Sequence, residues 1–448
     1  MTIVEMLVDE YTRAEIAASG LREAINIVGE LPTVERIEVF PDIAKKSWGF
    51  PSGTRVTTNG VDPFLYPMAV PDMACGYNVI ATGLDASGWT RDDLRRILGQ
   101  IAETVGAGSS TRVPFDGDVN ALLSSGLDGL PLPERYTYES ARPEQQALDD
   151  GNLDLLDDAC RNALAGELGS VAGHFLAVYT VESIMSSGPA ASPSTGEVIL
   201  VVHTGAPALR DQIYRTHIVP MAELAIEYRL MTDMQIGSGL FGVPLSHGLA
   251  REFLHLCRLS WNFGYANRHL VAERVLKVLF DNAKRGQGMG VPRLLRHVGH
   301  CGFSVPAGTN GDKYVVSQRG IQPLTWSAGL AYDRPERPLT FITGNHYTQG
   351  YLVIDTGEGE EAHYCGHGTP TWTPVHRPGH LVESPWTALD PALQRALAMY
   401  ANSRIGSQEL ARDLANIEGS IHSMSVTGMA RPVARLLPLL NYREARYA

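Results

Sequence analysis

The sequence predicts an α+β fold, and three observations carry that reading. Apolar runs over Phe175 to Val181 and Val198 to Val202 have the length and composition of buried strands. Residues 208 to 285 are mostly helical in pattern and form an excursion between strand-rich stretches. No Pro-, Gly- or Ser-rich linker and no repeat of solenoid length divides the 448 residues, so one large domain over 1 to 448 is expected.

The elements follow in order. Val8 to Leu31 carries apolar residues near helical period, with Pro32 as a stop. Val34 to Phe40 alternates as a strand that Pro41-Asp42 is expected to break. Gly49 to Gly60, rich in Gly, Pro and Thr, reads as a loop. Asn78 to Thr82 is a short buried strand, and Thr90 to Val105 opens as a capped helix with Asp92 and Asp93 in its first turn. Residues 106 to 150 read as an irregular surface excursion, and Asn152 to Leu168 as helical. Lys313 to Gln318, Leu339 to Gly344 and Tyr351 to Asp355 read as strands, and the Ala-rich stretch 386 to 415 as helical.

Composition narrows the function. With 44% hydrophobic and 19% charged residues the chain is globular, not disordered. Lys and Arg number 37 against 49 Asp and Glu, a net charge of −12, which excludes a protein that coats nucleic acid. Any nucleic-acid contact must be local. Five irregularly spaced cysteines, Cys75, Cys160, Cys257, Cys301 and Cys365, argue against a disulfide framework. The N-terminus lacks a basic secretory region and no stretch is apolar enough to span a membrane, so a cytoplasmic protein is expected.

Five short segments carry chemistry. Pro71-Asp72-Met73-Ala74-Cys75-Gly76 puts a carboxylate and a thiol three residues apart at a strand entrance, a pair suited to Mn²⁺, Fe²⁺ or Zn²⁺. His174 opens one apolar strand and His203 closes another. The segments His297 to Gly302 and His363 to Gly368 set histidines among glycines that permit close approach. A buried cysteine, a turn-capping aspartate and core histidines would explain the same residues one by one. No Cys-x-x-Cys or His-Glu-x-x-His spacing is present, so spacing by itself stops at a metal site of one or two ions.

The order of these segments resembles the RtcB-type RNA ligase family over nearly the whole chain. The resemblance rests on Pro41-Asp42, Gly49-Phe50-Pro51-Ser52-Gly53, Asp72 to Gly76, Ala172-Gly173-His174-Phe175 and His203-Thr204-Gly205. It continues through Asn262-Phe263-Gly264-Tyr265-Ala266-Asn267-Arg268, His300-Cys301, Gly366-His367-Gly368 and Ala430 to Pro438. The resemblance implies stacked β-sheets around a dinuclear Mn²⁺ site. Cys75, His203 and His300 would hold one ion, and Asp72, Cys75 and His174 the other, with Cys75 bridging. It implies that His367 is guanylylated by GTP and that Asn345, Thr348 and Arg443 contact the nucleotide. His346, His363 and Cys365 lie close enough in sequence to be alternatives to His367. The guanylate would pass to an RNA 3′-phosphate before a 5′-hydroxyl displaces GMP.

The surroundings depart from the family pattern. Gly173 and Ala177 replace an Asn and a Glu, and Ala206-Pro207-Ala208 lacks the family's phosphate-clamping Arg. Gln318-Arg319-Gly320 keeps one cation where the family has several, and Cys301 stands in place of an Asn. Three expectations therefore coexist. The first is a Mn²⁺- and GTP-dependent RNA ligase joining a 3′-phosphate or 2′,3′-cyclic phosphate to a 5′-hydroxyl. The second is a metal-dependent nucleotidyl or phosphoryl transferase on another phosphate-bearing acceptor. The third is a non-catalytic scaffold of the same fold.

Overall fold

The structure is a computed structural model that describes residues 2–46, 48–106, 115–130, 151–171, 173–232, 235–236, 238–284, 290–306, 312–325, 337–344, 348–357, 364–368 and 407–443. Its centre is a seven-stranded sheet. Across the sheet the strands run Thr340–Ile342, Gly350–Asp355, Ala430–Arg443, Phe175–Ile184, Glu197–Thr204, Gly76–Asp85 and Arg293–Gly299. Every neighbouring pair is antiparallel.

Alternation along the central strands explains why both faces are covered. In Gly76–Asp85, Ile80 and Leu84 face a core built with the helices Arg91–Val105 and Gly248–Asp281. Tyr77, Val79 and Ala81 face the opposite core with Tyr179, Phe341 and Leu436. Side chains of period two thus fill two cores from one strand. The Arg91–Val105 helix starts on Thr90, which closes a reciprocal capping box with Asp93.

A second sheet orders its strands Ile3–Met6, Val34–Ala44, Ser52–Gly60, Lys313–Arg319 and Cys301–Ser304. It is stacked with the first through a core that joins Phe40, Ile321, Ile342, Tyr351 and Ile417. A two-stranded ribbon, Ile321–Pro323 with Tyr364–Gly366, carries the chain toward His367.

Several boundaries differ from the local reading. The first helical stretch is two helices, Glu10–Ala18 and Leu21–Gly29, because Gly20 turns left-handed (φ 75°) between them. The strand from Val34 continues through Pro41-Asp42 to Ala44, the irregularity being absorbed by a register shift between Val39 and Ala44. Ser52–Gly60, expected as loop, is a strand, since Thr54, Val56 and Thr58 bury one side of it. The 208 to 285 stretch is helical as expected, though a π turn at Tyr214–Ile218 and a short Val243–Pro244 strand interrupt it. Part of the 106 to 150 stretch is the helix Val119–Ser125. Of the expected helix at 386 to 415, the first part lies outside the described residues, and Ser407–Val426 is helical.

Candidate metal centre

Sheet topology brings the candidate ligands to one edge. Cys75 precedes Gly76–Asp85, His174 precedes Phe175–Ile184, His203 is the last residue but one of Glu197–Thr204 and His300 follows Arg293–Gly299. These four strands are neighbours and antiparallel, so starts and ends alternate along the same edge. The register places Tyr77 opposite His203, Phe175 opposite His203 and Gly76 opposite Gly299.

The ligand atoms of Cys75, His203 and His300 all lie within 4.8 Å of one another. The two Nε2 atoms of His203 and His300 are 3.2 Å apart. His174 approaches the same sulfur, with Nε2 3.0 Å from Cys75 Sγ. Cys75 thus lies beside both His174 and the His203–His300 pair. One thiol with convergent imidazoles is a donor set that suits a first-row divalent ion. Burial pushes the Cys75 thiol well above its usual range, reinforced by the charge of Asp72, while burial and neighbouring His367 push His300 down. A neutral imidazole is ready to ligate, and a bound cation would displace the thiol proton.

Close packing holds these residues. Ala74 adopts φ 58°, a left-handed conformation uncommon for a residue with a Cβ. Its carbonyl accepts from Arg268 Nη1 at 2.8 Å, and the same nitrogen donates to Thr204 O at 2.9 Å. Arg268, fully buried, thus ties together the residues beside Cys75 and His203. A Cβ on Gly205 would stand 3.0 Å from Cys75 Sγ and 3.1 Å from His174 Nε2, so this glycine keeps the centre open.

Asp72 is not part of the Cys75–His203–His300 cluster and is paired with Arg319. Its Oδ2 accepts from Arg319 Nε at 2.8 Å, while Arg319 Nη1 donates to Trp48 O (2.6 Å) and Phe50 O (2.8 Å). Burial would raise the Asp72 carboxyl, but Arg319, Lys46 and His367 outweigh it and hold the group below its usual value. Asp72 enters as a carboxylate already paired through one oxygen.

His367 follows the Tyr364–Gly366 strand and packs its ring on His300, with centroids 4.4 Å apart. Asp42 Oδ2 lies 2.9 Å from His367 Nδ1 and also accepts from the backbone N–H of His367 (3.0 Å) and Gly368 (3.2 Å). A carboxylate only accepts, so in the neutral ring Nδ1 carries the proton and Nε2 the lone pair. Cys365, an alternative in sequence, is buried in the core beside Phe40 and Ile321. His346, His363 and Asn345 lie outside the described residues. Thr348 is buried in the connection between Thr340–Ile342 and Gly350–Asp355, and nearby Thr343 donates its N–H to His367 O at 3.2 Å. Arg443 pairs with Phe175 in the sheet, one residue from His174.

Local reading missed Asp42, Arg268 and Arg319 as members of this site. Asp42 and Arg268 were visible only inside motifs, and nothing local tied Arg319 to Asp72.

The geometry defines a mixed helix-and-sheet protein with a thiol–imidazole centre at one sheet edge, and the comparisons agree. The sequence model described as tRNA-splicing ligase RtcB matches residues 24–444, and the chain belongs to the RtcB family. The RNA-splicing ligase RtcB of Mycobacterium bovis is 24% identical over 449 residues, covering 92% of this chain and 98% of that protein. The tRNA-splicing ligase RtcB of Aeropyrum pernix is 21% identical over 434 residues, covering 90% and 86%. The tRNA-splicing ligase RtcB of Methanococcus maripaludis is 24% identical over 261 residues, covering 56% of this chain and 53%, about half, of that protein. Among the described residues no helix is long and apolar enough to cross a membrane.

Proposed function

We propose that this chain is a Mn²⁺- and GTP-dependent RNA ligase that joins a 3′-phosphate or 2′,3′-cyclic phosphate to a 5′-hydroxyl through a guanylylated His367. The observation that supports it most is the His367 ring, tilted against His300 with centroids 4.4 Å apart, His300 being a member of the Cys75–His203–His300 cluster, with His367 Nδ1 fixed by Asp42. The two donor sets are Cys75, His203 and His300, and Asp72, Cys75 and His174. The ions, when bound, polarise phosphoryl oxygens and offset the charge that builds during attack.

The chain's own residues perform the remaining tasks. The Nε2 lone pair of His367 attacks the α-phosphorus of GTP, and pyrophosphate leaves with the electrons of the broken P–O bond. The imidazole is then cationic, and Asp42 stabilises it through Nδ1–H. An oxygen of the RNA 3′-phosphate attacks the same phosphorus, and the P–N bond breaks to restore the lone pair. The 5′-hydroxyl oxygen attacks the 3′-phosphorus, GMP leaves, and the hydroxyl proton passes to solvent. A cyclic end first takes up one water. Asn345, Thr348 and Arg443 contact the nucleotide in this reading.

One observation favours a second reading, transfer to a different phosphate-bearing acceptor. Arg319 is engaged by Asp72 and two backbone carbonyls and is not free to clamp a phosphate. Intact-mass spectrometry after incubation with Mn²⁺ and each ribonucleoside triphosphate tests both. A guanylate-sized gain that disappears in His367→Ala is expected. A gain with another nucleotide turns to the second reading, and no gain in a metal-loaded chain turns to a non-catalytic scaffold.

A further inference from the structure

A cavity of about 460 Å³ opens between the Leu21–Gly29 helix and the residues Lys45, Lys46, Gly49 and Pro51. Its walls include Lys45, Lys46, Gly49, Ile27, Leu240 and Glu23. The volume falls in the roughly 300–1,000 Å³ range of small-molecule and cofactor sites. Lys45 and Lys46 are exposed, and neither has an ion-pair partner among the described residues. Two adjacent exposed cations stand out in a chain of net charge −12.

Direct hydrogen bonds join this cavity to the metal centre. Gly49 lines the cavity, and the carbonyls on either side of it, Trp48 O and Phe50 O, accept from Arg319 Nη1. The same guanidinium holds Asp72. The lip of the cavity is therefore one side chain away from a candidate ligand.

We propose that this cavity holds a nucleotide unit of the single-stranded RNA whose end is being joined, with Lys45 and Lys46 on its backbone phosphates. This rests on the ligase reading above. Ile27 and Leu240 offer an apolar wall to a base, and Lys45 and Lys46 supply the cations that Arg319 cannot. Glu23 on the opposite wall repels the backbone and keeps it on the lysine side. Contacts of this kind are sequence-tolerant and salt-dependent.

Fluorescence anisotropy with a short labelled single-stranded RNA bearing a 3′-phosphate, titrated across salt concentrations, tests the groove. The double variant Lys45→Ala/Lys46→Ala is expected to bind about tenfold more weakly and to lower the slope of log affinity against log salt by about 1.4, two contacts at about 0.7 each. Glu23→Gln is expected to bind more tightly. Lys277→Ala, which removes an exposed lysine paired with Asp281 elsewhere on the surface, is expected to change neither quantity. Unchanged affinity and slope in the double variant overturn the proposal, as does an equal loss in Lys277→Ala. Adduct formation by intact mass reports separately on the ligase reading. A chain that forms no adduct yet binds RNA through these lysines keeps the groove and loses the ligase assignment. A chain that forms the adduct while its RNA affinity ignores both lysines does the reverse.

Discussion

Asp42 and His367 lie 325 positions apart in the chain, and the Asp42 carboxylate holds the His367 ring through Nδ1 at 2.9 Å. Gly366 makes this possible, because any Cβ there would collide with the Asp42 carboxylate. Asp42 sits in the strand that runs on past Pro41, and its side chain is wholly buried. Its Oδ1 has no hydrogen-bond partner among the described residues, so the carboxylate's attachment is concentrated in Oδ2.

Asp42→Asn tests that attachment. An amide either donates or accepts, so the Nδ1–H tautomer is no longer imposed. Nucleotide adduct formation is expected to slow by roughly 10²–10⁴-fold, with metal content unchanged. Adduct kinetics by intact mass, alongside elemental analysis, give the answer. A rate close to that of the parent chain would remove Asp42 from the mechanism.

Gly205→Ala tests the openness of the centre. The added methyl would stand 2.9 Å from Met73 O and 3.0 Å from Cys75 Sγ. Divalent metal affinity is expected to fall at least about tenfold, the size of effect seen when the support around metal ligands is altered. Competition with a fluorescent chelator measures it. Retained affinity would mean that the centre relaxes around the methyl group.

Cys75→Ala tests the shared sulfur. If Cys75 serves both ligand sets, the variant is expected to lose metal from both, which elemental analysis of the purified protein reads directly. Loss of about half the parent metal content would assign Cys75 to one ion alone.

Arg268→Met tests the buried guanidinium. It leaves the carbonyls of Ala74 and Thr204 without their donor. At roughly 1–3 kcal/mol per buried unsatisfied group, about 2–6 kcal/mol of stability should be lost. Chemical denaturation measures this, and Arg268→Lys should recover part of it. An unchanged midpoint would show that the strained Ala74 turn holds without Arg268.

Asp93→Asn tests a pH-dependent cap. Hydrogen bonds from Lys284 first, then from the Thr90 backbone and hydroxyl, hold the Asp93 carboxyl well below its usual range. A folded value below the unfolded one stabilises the fold above the unfolded pKa of about 3.9 and loses that contribution as pH falls toward the folded value. The variant should be about 1 kcal/mol less stable at neutral pH, the usual weight of a helix cap. The gap should shrink below about pH 4. Denaturation at pH 7 and pH 3 checks the sign, and a gap that widens in acid would contradict it.

Much of the molecule was legible in the linear chain. Strand positions at Phe175, Val198 and Tyr351 follow from apolar runs, and the Arg91–Val105 helix from Thr90 and its first-turn acids. Asp72 to Gly76 and His203 to Gly205 were legible as site segments because their residues of interest sit within a few positions of one another. The Ser52–Gly60 strand was not, because Gly and Thr signal a turn locally while pairing with two neighbouring strands decides otherwise.

Local pattern by itself determined the α+β class, the order of the motifs and the identity of the thiol and imidazole groups. Tertiary structure alone decided which of them meet. Periodicity and capping act over a few residues, whereas the antiparallel order of four strands brings Cys75, His174, His203 and His300 to one edge. The same holds for charge. Asp42 selects His367, and Arg319 selects Asp72, because burial removes water as the competing partner, and no local pattern in the chain specifies which distant groups will share that dry environment.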